Sequence, residues 1–261
     1  MCAPVKLPRW AMVCLLLASR QATAQPLRIE VGGATFRPYP VAVPPLAMRG
    51  GEPPSTAALG RGLTQMLQGG VDLVRSLELV PPKTYLRPEA EAVTAPNFTA
   101  WAQVGASGLI RGTLQSDGPK VKTTLRFYDV RSRAEVFHED CEQSPAQARL
   151  CVHRFLDQVV ERLTGERGIF SSRLSFVRKA NRQAQVYTSD IDGQNVERVS
   201  ERGSLNLLPG WDSQGRYVLF TSYAGGNPDL VRVDLRSRRL QTLSAARGLN
   251  MGGAVSPDGA R

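Results

Sequence analysis

The last third of this chain repeats itself, which narrows the folds open to it. Moved forward by 44 positions, residues 174–217 fall on the rest of the chain without a gap. Phe176 lands on Phe220, Ala180 on Ala224, Asp190 on Asp234, Ser200 on Ser244, Asn206 on Asn250 and Gly215 on Gly259. Apolar positions agree as well: Leu174 with Val218, Val186 with Leu230 and Val199 with Leu243. A period near 44, filled with short strand-like runs and turns, is the spacing of a four-stranded propeller blade. Asp, Asn, Ser and Gly recur where the chain turns, because they tolerate positive φ or bond locally to backbone. Phe and Trp are expected between blades. Residues 170–261 supply about two such units, and a closed ring needs about four or more. Ser256-Pro257-Asp258-Gly259 stands where a further strand is expected to begin, so the expectation is a partial propeller on a truncated chain.

Residues 25–165 have a different texture. Leu27 to Val31 and Val41 to Val43 alternate or cluster as strands. Ser55 is the expected cap of a helix carrying Leu59, Leu63, Met66 and Leu67, which Gly69-Gly70 is expected to end. Leu77 to Val80 predicts a short strand, and Phe98 to Val104 a helical turn. Gly108–Leu114, Val121–Val130 and Ala134–Cys141 predict strands, with Asp117-Gly118 turning the first hairpin. Ser144, Pro145 and Gln147 predict a capping box opening a helix with Val152, Leu156, Val159 and Leu163 on one face, ended at Thr164-Gly165. This is a compact α/β domain of βαβ type, so the fold class is an α/β N-terminal domain followed by all-β propeller blades.

Residues 1–24 have the pattern of a secretory signal. Lys6 and Arg9 precede the apolar run Trp10 to Ala18, and Ala22-Thr23-Ala24 gives the cleavage pattern. That run is about half of the roughly 20 residues a spanning helix needs, so the mature protein is expected to be exported, peripheral to membranes and not spanning them. The net charge is +10, and cleavage after Ala24 leaves +7 by removing Lys6, Arg9 and Arg20. A basic balance often marks nucleic-acid binders, but an exported protein with scattered basic residues is not expected to bind one. Arg236, Arg238 and Arg239 form the single tight group, either a solvated hairpin or a patch for an anionic lipid, glycan or acidic partner. Cys2 and Cys14 leave with the signal. Cys141 and Cys151 remain, an even pair in an oxidising compartment. Two readings stand: a disulfide closing a small loop between a strand end and a helix, or two buried free thiols. The two histidines, His138 and His153, lack zinc-type ligand spacing, and no metal or other cofactor is expected.

Asn206-Leu207-Leu208-Pro209-Gly210-Trp211, with Gly215, resembles the blade signature of TolB-type repeats, as does Asn250 with Ser256-Pro257-Asp258-Gly259. Tyr187-Thr188-Ser189-Asp190-Ile191-Asp192-Gly193 followed by Val199-Ser200 resembles the family's hairpin. Pro40 to Leu46, the helix of Leu59 to Leu67, Trp101 with Gly105 and Gly108 to Gly112, and Leu163-Thr164-Gly165 resemble its N-terminal domain. The chain is thus similar to the TolB family over its mature length. The resemblance implies a periplasmic scaffold of the Tol–Pal system, not a catalyst, in which these residues supply about two of an expected six blades. It implies two partners, the lipoprotein Pal on the propeller and the inner-membrane protein TolA on the mature N-terminal segment, joined to maintain outer-membrane integrity and constriction at division. Carried to this chain, the TolA-like contact is Gln25 to Gly33, with Leu27, Ile29 and Val31 alternating, a pattern suited to adding a strand to a partner's sheet. An ordinary edge strand of the first domain explains the same residues.

Enzymatic motifs are missing from the sequence. It has no Gly-x-Ser-x-Gly elbow and no Gly-rich phosphate loop. Asp190-x-Asp192-Gly193-x-Asn195 lacks the downstream acid of a calcium loop and predicts a hairpin turn. Glu89 with Glu91, and Glu139 with Asp140, imply no apolar pocket that would make them an acid/base pair. The alternatives are the front of a propeller-bearing serine peptidase, or an envelope sensor or glycan-binding propeller unrelated to Pal.

Overall fold

The computed structural model describes residues 37–48, 52–201, 203–259 and 261. The first part is a mixed sheet with helices on both faces. Strand β1 (Tyr39–Ala42) runs parallel to β3 (Leu77–Leu79), and helix α1 (Pro54–Leu73) connects them, a βαβ unit. On its other side β1 pairs with β4 (Gly108–Asp117). Strands β4, β5 (Lys120–Asp129) and β6 (Ala134–Gln143) follow as an antiparallel meander, and β2 (Ala47–Met48) pairs parallel to β4.

Alternation along the strands splits the core in two. Val41, Ile110, Leu114, Leu125 and Phe127 point to the face covered by α1 and by α3 (Ala148–Thr164), where they meet Leu63, Leu67, Phe155, Leu156 and Val159. Ala42, Leu109, Tyr128 and Val130 point to the opposite face and pack on Val80, Ala106 and Trp101 of the short helix α2 (Phe98–Gln103). The connection from β3 to α2 is held to that face by Arg111. Its side chain is 3% exposed and donates to the carbonyls of Pro88 and Glu91 at 3.0 Å. Trp101 Nε1 donates to Glu91 Oε2 at 2.9 Å, and the Tyr128 hydroxyl donates to the Val93 carbonyl at 2.9 Å.

Three local expectations are corrected. Ser55 does not cap α1: Pro53 holds the cap position, Pro54 opens the helix, and no side chain caps it. Gly69-Gly70 does not end α1, which runs on to Leu73. Gly70 serves packing, since a Cβ there would lie 2.4 Å from Leu156 Cδ1 and 3.2 Å from Phe170 Cε1. The Ser144 capping box is not formed. Pro145–Gln147 make a 3-10 turn, the Ser144 hydroxyl goes to Gln147 Oε1 at 3.2 Å, and α3 starts at Ala148. Gly165 does end α3, in the left-handed region at φ 79°, with its N–H on the Glu161 carbonyl.

The second part is two antiparallel sheets. The first joins β7 (Arg173–Ala180), β8 (Gln183–Asp190) and β9 (Glu197–Arg198). The second joins β10 (Asn206–Trp211), β11 (Tyr217–Ser222), β12 (Asp229–Asp234) and β13 (Leu240–Ser244). The sequence period is also the structural period. Phe176 pairs with Tyr187 and Phe220 with Val231; Tyr187 pairs with Arg198 and Val231 with Thr242. Both positions of each pair shift by the same 44 residues. The repeat and the blade differ in phase, however. The Asn-x-x-Pro-x-Trp stretch is the first strand of the following sheet, so the described residues give one four-stranded blade and one three-stranded sheet. Val186, Val199, Val218, Phe220, Val231 and Val233 form the seam between them, with Val177 and Trp211 at its margin. The repeated Asn has a physical role: Asn206 Nδ2 lies 3.4 Å from the Ala184 carbonyl, and Asn250 Nδ2 donates to the equivalent Pro228 carbonyl at 3.1 Å.

Candidate functional site

Leu27, Ile29 and Val31, the contacts implied for a TolA-like partner, lie outside the described residues, as do residues 1–24. Cys141 at the end of β6 and Cys151 in α3 are joined by a disulfide. Both sulfurs are buried at the edge of the main core. Glu139 lies beside them, but its carboxylate accepts from Arg154 Nε at 3.0 Å and from Gln158 Nε2 at 2.5 Å. The disulfide consumes both thiolates a metal would need. Asp190 to Asn195 form the expected turn: the Gly193 amide bonds the Asp190 carbonyl, and Asn195 Nδ2 donates to Asp190 Oδ2.

That turn touches the α/β layer. Ile191 packs on the main core. Arg149, one helical turn before His153 on α3, donates to Asp192 Oδ2. His153 Nε2 faces the same oxygen at 3.8 Å. His153 is 3% exposed, and burial pushes its pKa below the ordinary imidazole value against the opposing pull of Asp192. A groove of about 650 Å³ runs over this contact, walled by Gln65, Met66 and Leu73 of α1 and by Leu156, Phe170 and Ile191. The linker after α3 is pinned beneath it: Asp157 accepts the amide protons of Phe170 at 2.6 Å and Ser171 at 2.9 Å. In the sequence His153 stands without zinc-type ligand spacing and Asp192 as a turn residue, with nothing to join them. The i, i+4 spacing of Arg149 and His153 was the available signal, but nothing local identifies the distant carboxylate.

The basic hairpin between β12 and β13 is built around Asp234. Its carboxylate accepts the amides of Arg236 and Ser237 at 2.8 and 3.0 Å and the Arg216 side chain at 2.9 Å. These bonds, the Ser237 amide foremost, hold its pKa down to about 2. Arg236, Arg238 and Arg239 are exposed, and Arg238 donates to the Arg198 carbonyl, which fastens the second hairpin to the first sheet. Among the described residues, no helix is long and apolar enough to cross a membrane.

Comparison with known proteins supports this two-part plan. Residues 27–136 match the TolB amino-terminal domain, and residues 160–261 match the TolB beta propeller domain. The Tol-Pal system protein TolB of Anaeromyxobacter dehalogenans is 33% identical over 255 residues, which are 96% of this chain and 58% of that protein. The protein of the same name from Myxococcus xanthus is 34% identical over 219 residues, 82% of this chain and 49% of that one. The chain therefore spans about half the length of the curated relatives it matches. The crystal structure of TolB from Acinetobacter baumannii superposes with a TM-score of 0.73 over 85% of this chain and 53% of that one, at 20% identity, and so supports the fold. With an α/β layer and propeller-like blades in the order of both matched TolB domains, the chain belongs to the TolB family.

Proposed function

We propose that this protein is a non-enzymatic periplasmic scaffold of the Tol–Pal system that links a TolA-like inner-membrane protein to a Pal-like lipoprotein and so maintains outer-membrane integrity and constriction at division. One observation carries the reading: the two TolB domains occur in order on a single chain that aligns over 96% of its length with a Tol-Pal system protein. Residues 1–24 are assigned as the signal peptide, 25–165 as the α/β domain and 170–261 as the propeller segment. The N-terminal stretch Gln25 to Gly33 is assigned to the TolA-like partner, with Leu27, Ile29 and Val31 as its alternating contacts.

The test is calorimetric binding of the chain lacking residues 1–24 to the soluble domains of Pal-like and TolA-like proteins from the same organism. Both domains are expected to bind. Leu27→Asp with Ile29→Asp is expected to abolish the TolA-like interaction and leave the Pal-like one. Failure to bind either domain overturns the scaffold reading, and loss of both on changing Leu27 and Ile29 overturns the assignment of separate surfaces.

A further inference from the structure

Arg149, His153 and Asp192 bring two parts of the molecule together through one carboxylate oxygen. Arg149 already neutralises Asp192, and His153 Nε2 faces the same oxygen with no hydrogen-bond partner of its own. We propose that these three residues form a proton-responsive clasp between the α/β layer and the first sheet, closed while His153 is neutral and loosened when it takes up a proton.

The direction follows from what surrounds the ring. From the blades it faces Asp192 and Asp190; from α3 it faces Arg149 and Asp157; α1 brings Gln65, Met66 and Leu73, none of them charged, to the groove. Each of the three acids already has a donor: Arg149 on Asp192, Asn195 on Asp190, and the Phe170 and Ser171 amides on Asp157. An imidazolium at 3% exposure would lose its hydration and gain one ion contact at 3.8 Å, shared with a competing guanidinium. The cheaper response is for the Ile191–Asp192 turn to leave α3 and let water in. His153 has its pKa lowered by burial from the ordinary 6.5. The closed state is therefore fully favoured above the pKa of the open state, and its advantage fades as pH falls through the depressed value of the closed one.

The experiment uses the whole chain, where His138 and His153 are the two histidines. Imidazole NMR resolves both, and His153 is expected to titrate below the ordinary 6.5. Hydrogen exchange of the linker peptide containing Phe170 and Ser171, corrected for the intrinsic rate, reads the clasp. Its protection is expected to fall by about threefold or more between roughly pH 7.5 and pH 5 in the unaltered protein and to stay level in His153→Gln. Asp192→Asn is expected to lower protection at both pH values, and keeps the test decisive should His153→Gln misfold. A His153 that titrates at or above the ordinary 6.5, or linker protection that falls equally in His153→Gln, overturns the proposal. So does unchanged protection in Asp192→Asn.

Discussion

The α/β layer and the blades are made of equally regular strands, yet they close their cores differently. The layer buries both faces of its sheet, one under α1 and α3 and one under α2 and the connection that Arg111 clamps. Its main core runs without a break from Val41 to Phe170 in the linker. The two blade sheets share a single seam of six buried side chains, Val186 to Val233. Beyond it, Leu174 and Leu243 are 42% exposed and Leu249 is 80% exposed. A layered domain completes its own core, whereas a repeat unit borrows half of its core from a neighbour. Stability is therefore expected to be concentrated in the first part.

Phe155→Ala tests that contrast most severely. Phe155 is fully buried against the sheet, its ring centroid 5.0 Å from that of Phe137 on β6. Its truncation is expected to cost about 3–5 kcal/mol. Phe220→Ala, in the seam, is expected to shift only the transition of the blades. Denaturant unfolding followed by near-ultraviolet circular dichroism reads both variants. If either change moves a single common transition, the two parts unfold as one unit and the contrast fails.

Reducing the disulfide is the next largest effect. The bridge spans ten positions from β6 to α3, and closing so short a loop contributes about 2–3 kcal/mol. Cys141→Ala with Cys151→Ala is expected to lower the transition of the α/β layer and leave the blades unchanged. Arg111→Met follows. It strands the Pro88 and Glu91 carbonyls and is expected to cost about 1.5–3 kcal/mol, with increased hydrogen exchange across residues 85–95. An unchanged exchange pattern would mean that Trp101 and Tyr128 hold that connection without it.

Much of this fold was legible because repeats and periodicity are local signals. The 44-residue shift marks which positions of the two units are equivalent, and the paired residues of the two sheets keep that same shift. Helix ends were less legible. Gly70 looks like a stop signal, but its missing side chain makes room for Leu156, more than eighty residues away. Ser144 has the right chemistry for a cap, yet its hydroxyl meets Gln147. The pair Cys141 and Cys151 was visible as a candidate bridge, while the contact of Arg149 and His153 with Asp192 was not. It depends on how the blades lie against α3, which no window of sequence encodes. The same holds for Arg111, an arginine in a strand whose partners are backbone carbonyls.

The mildest test separates the two hairpin turns, which hold equivalent places in the repeat but face different neighbours. At the first, Asp190 accepts a side-chain amide while Ile191 and Asp192 reach α3. At the second, Asp234 carries the turn through two backbone amides and Arg216. Its pKa is about 2 against an ordinary 3.8, so the contribution of the charged form is complete above the ordinary value and is lost as pH falls toward the depressed one. Asp234→Asn keeps one acceptor oxygen and removes the charge. Exchange is expected to rise across residues 235–240 at neutral pH, with no change at the linker. The variant should also lose the acid-induced rise in exchange that the unaltered hairpin shows between roughly pH 4 and pH 2. If exchange at the linker rises with it, the second hairpin acts on the first through Arg238 and the Arg198 carbonyl, and the blades respond as one body.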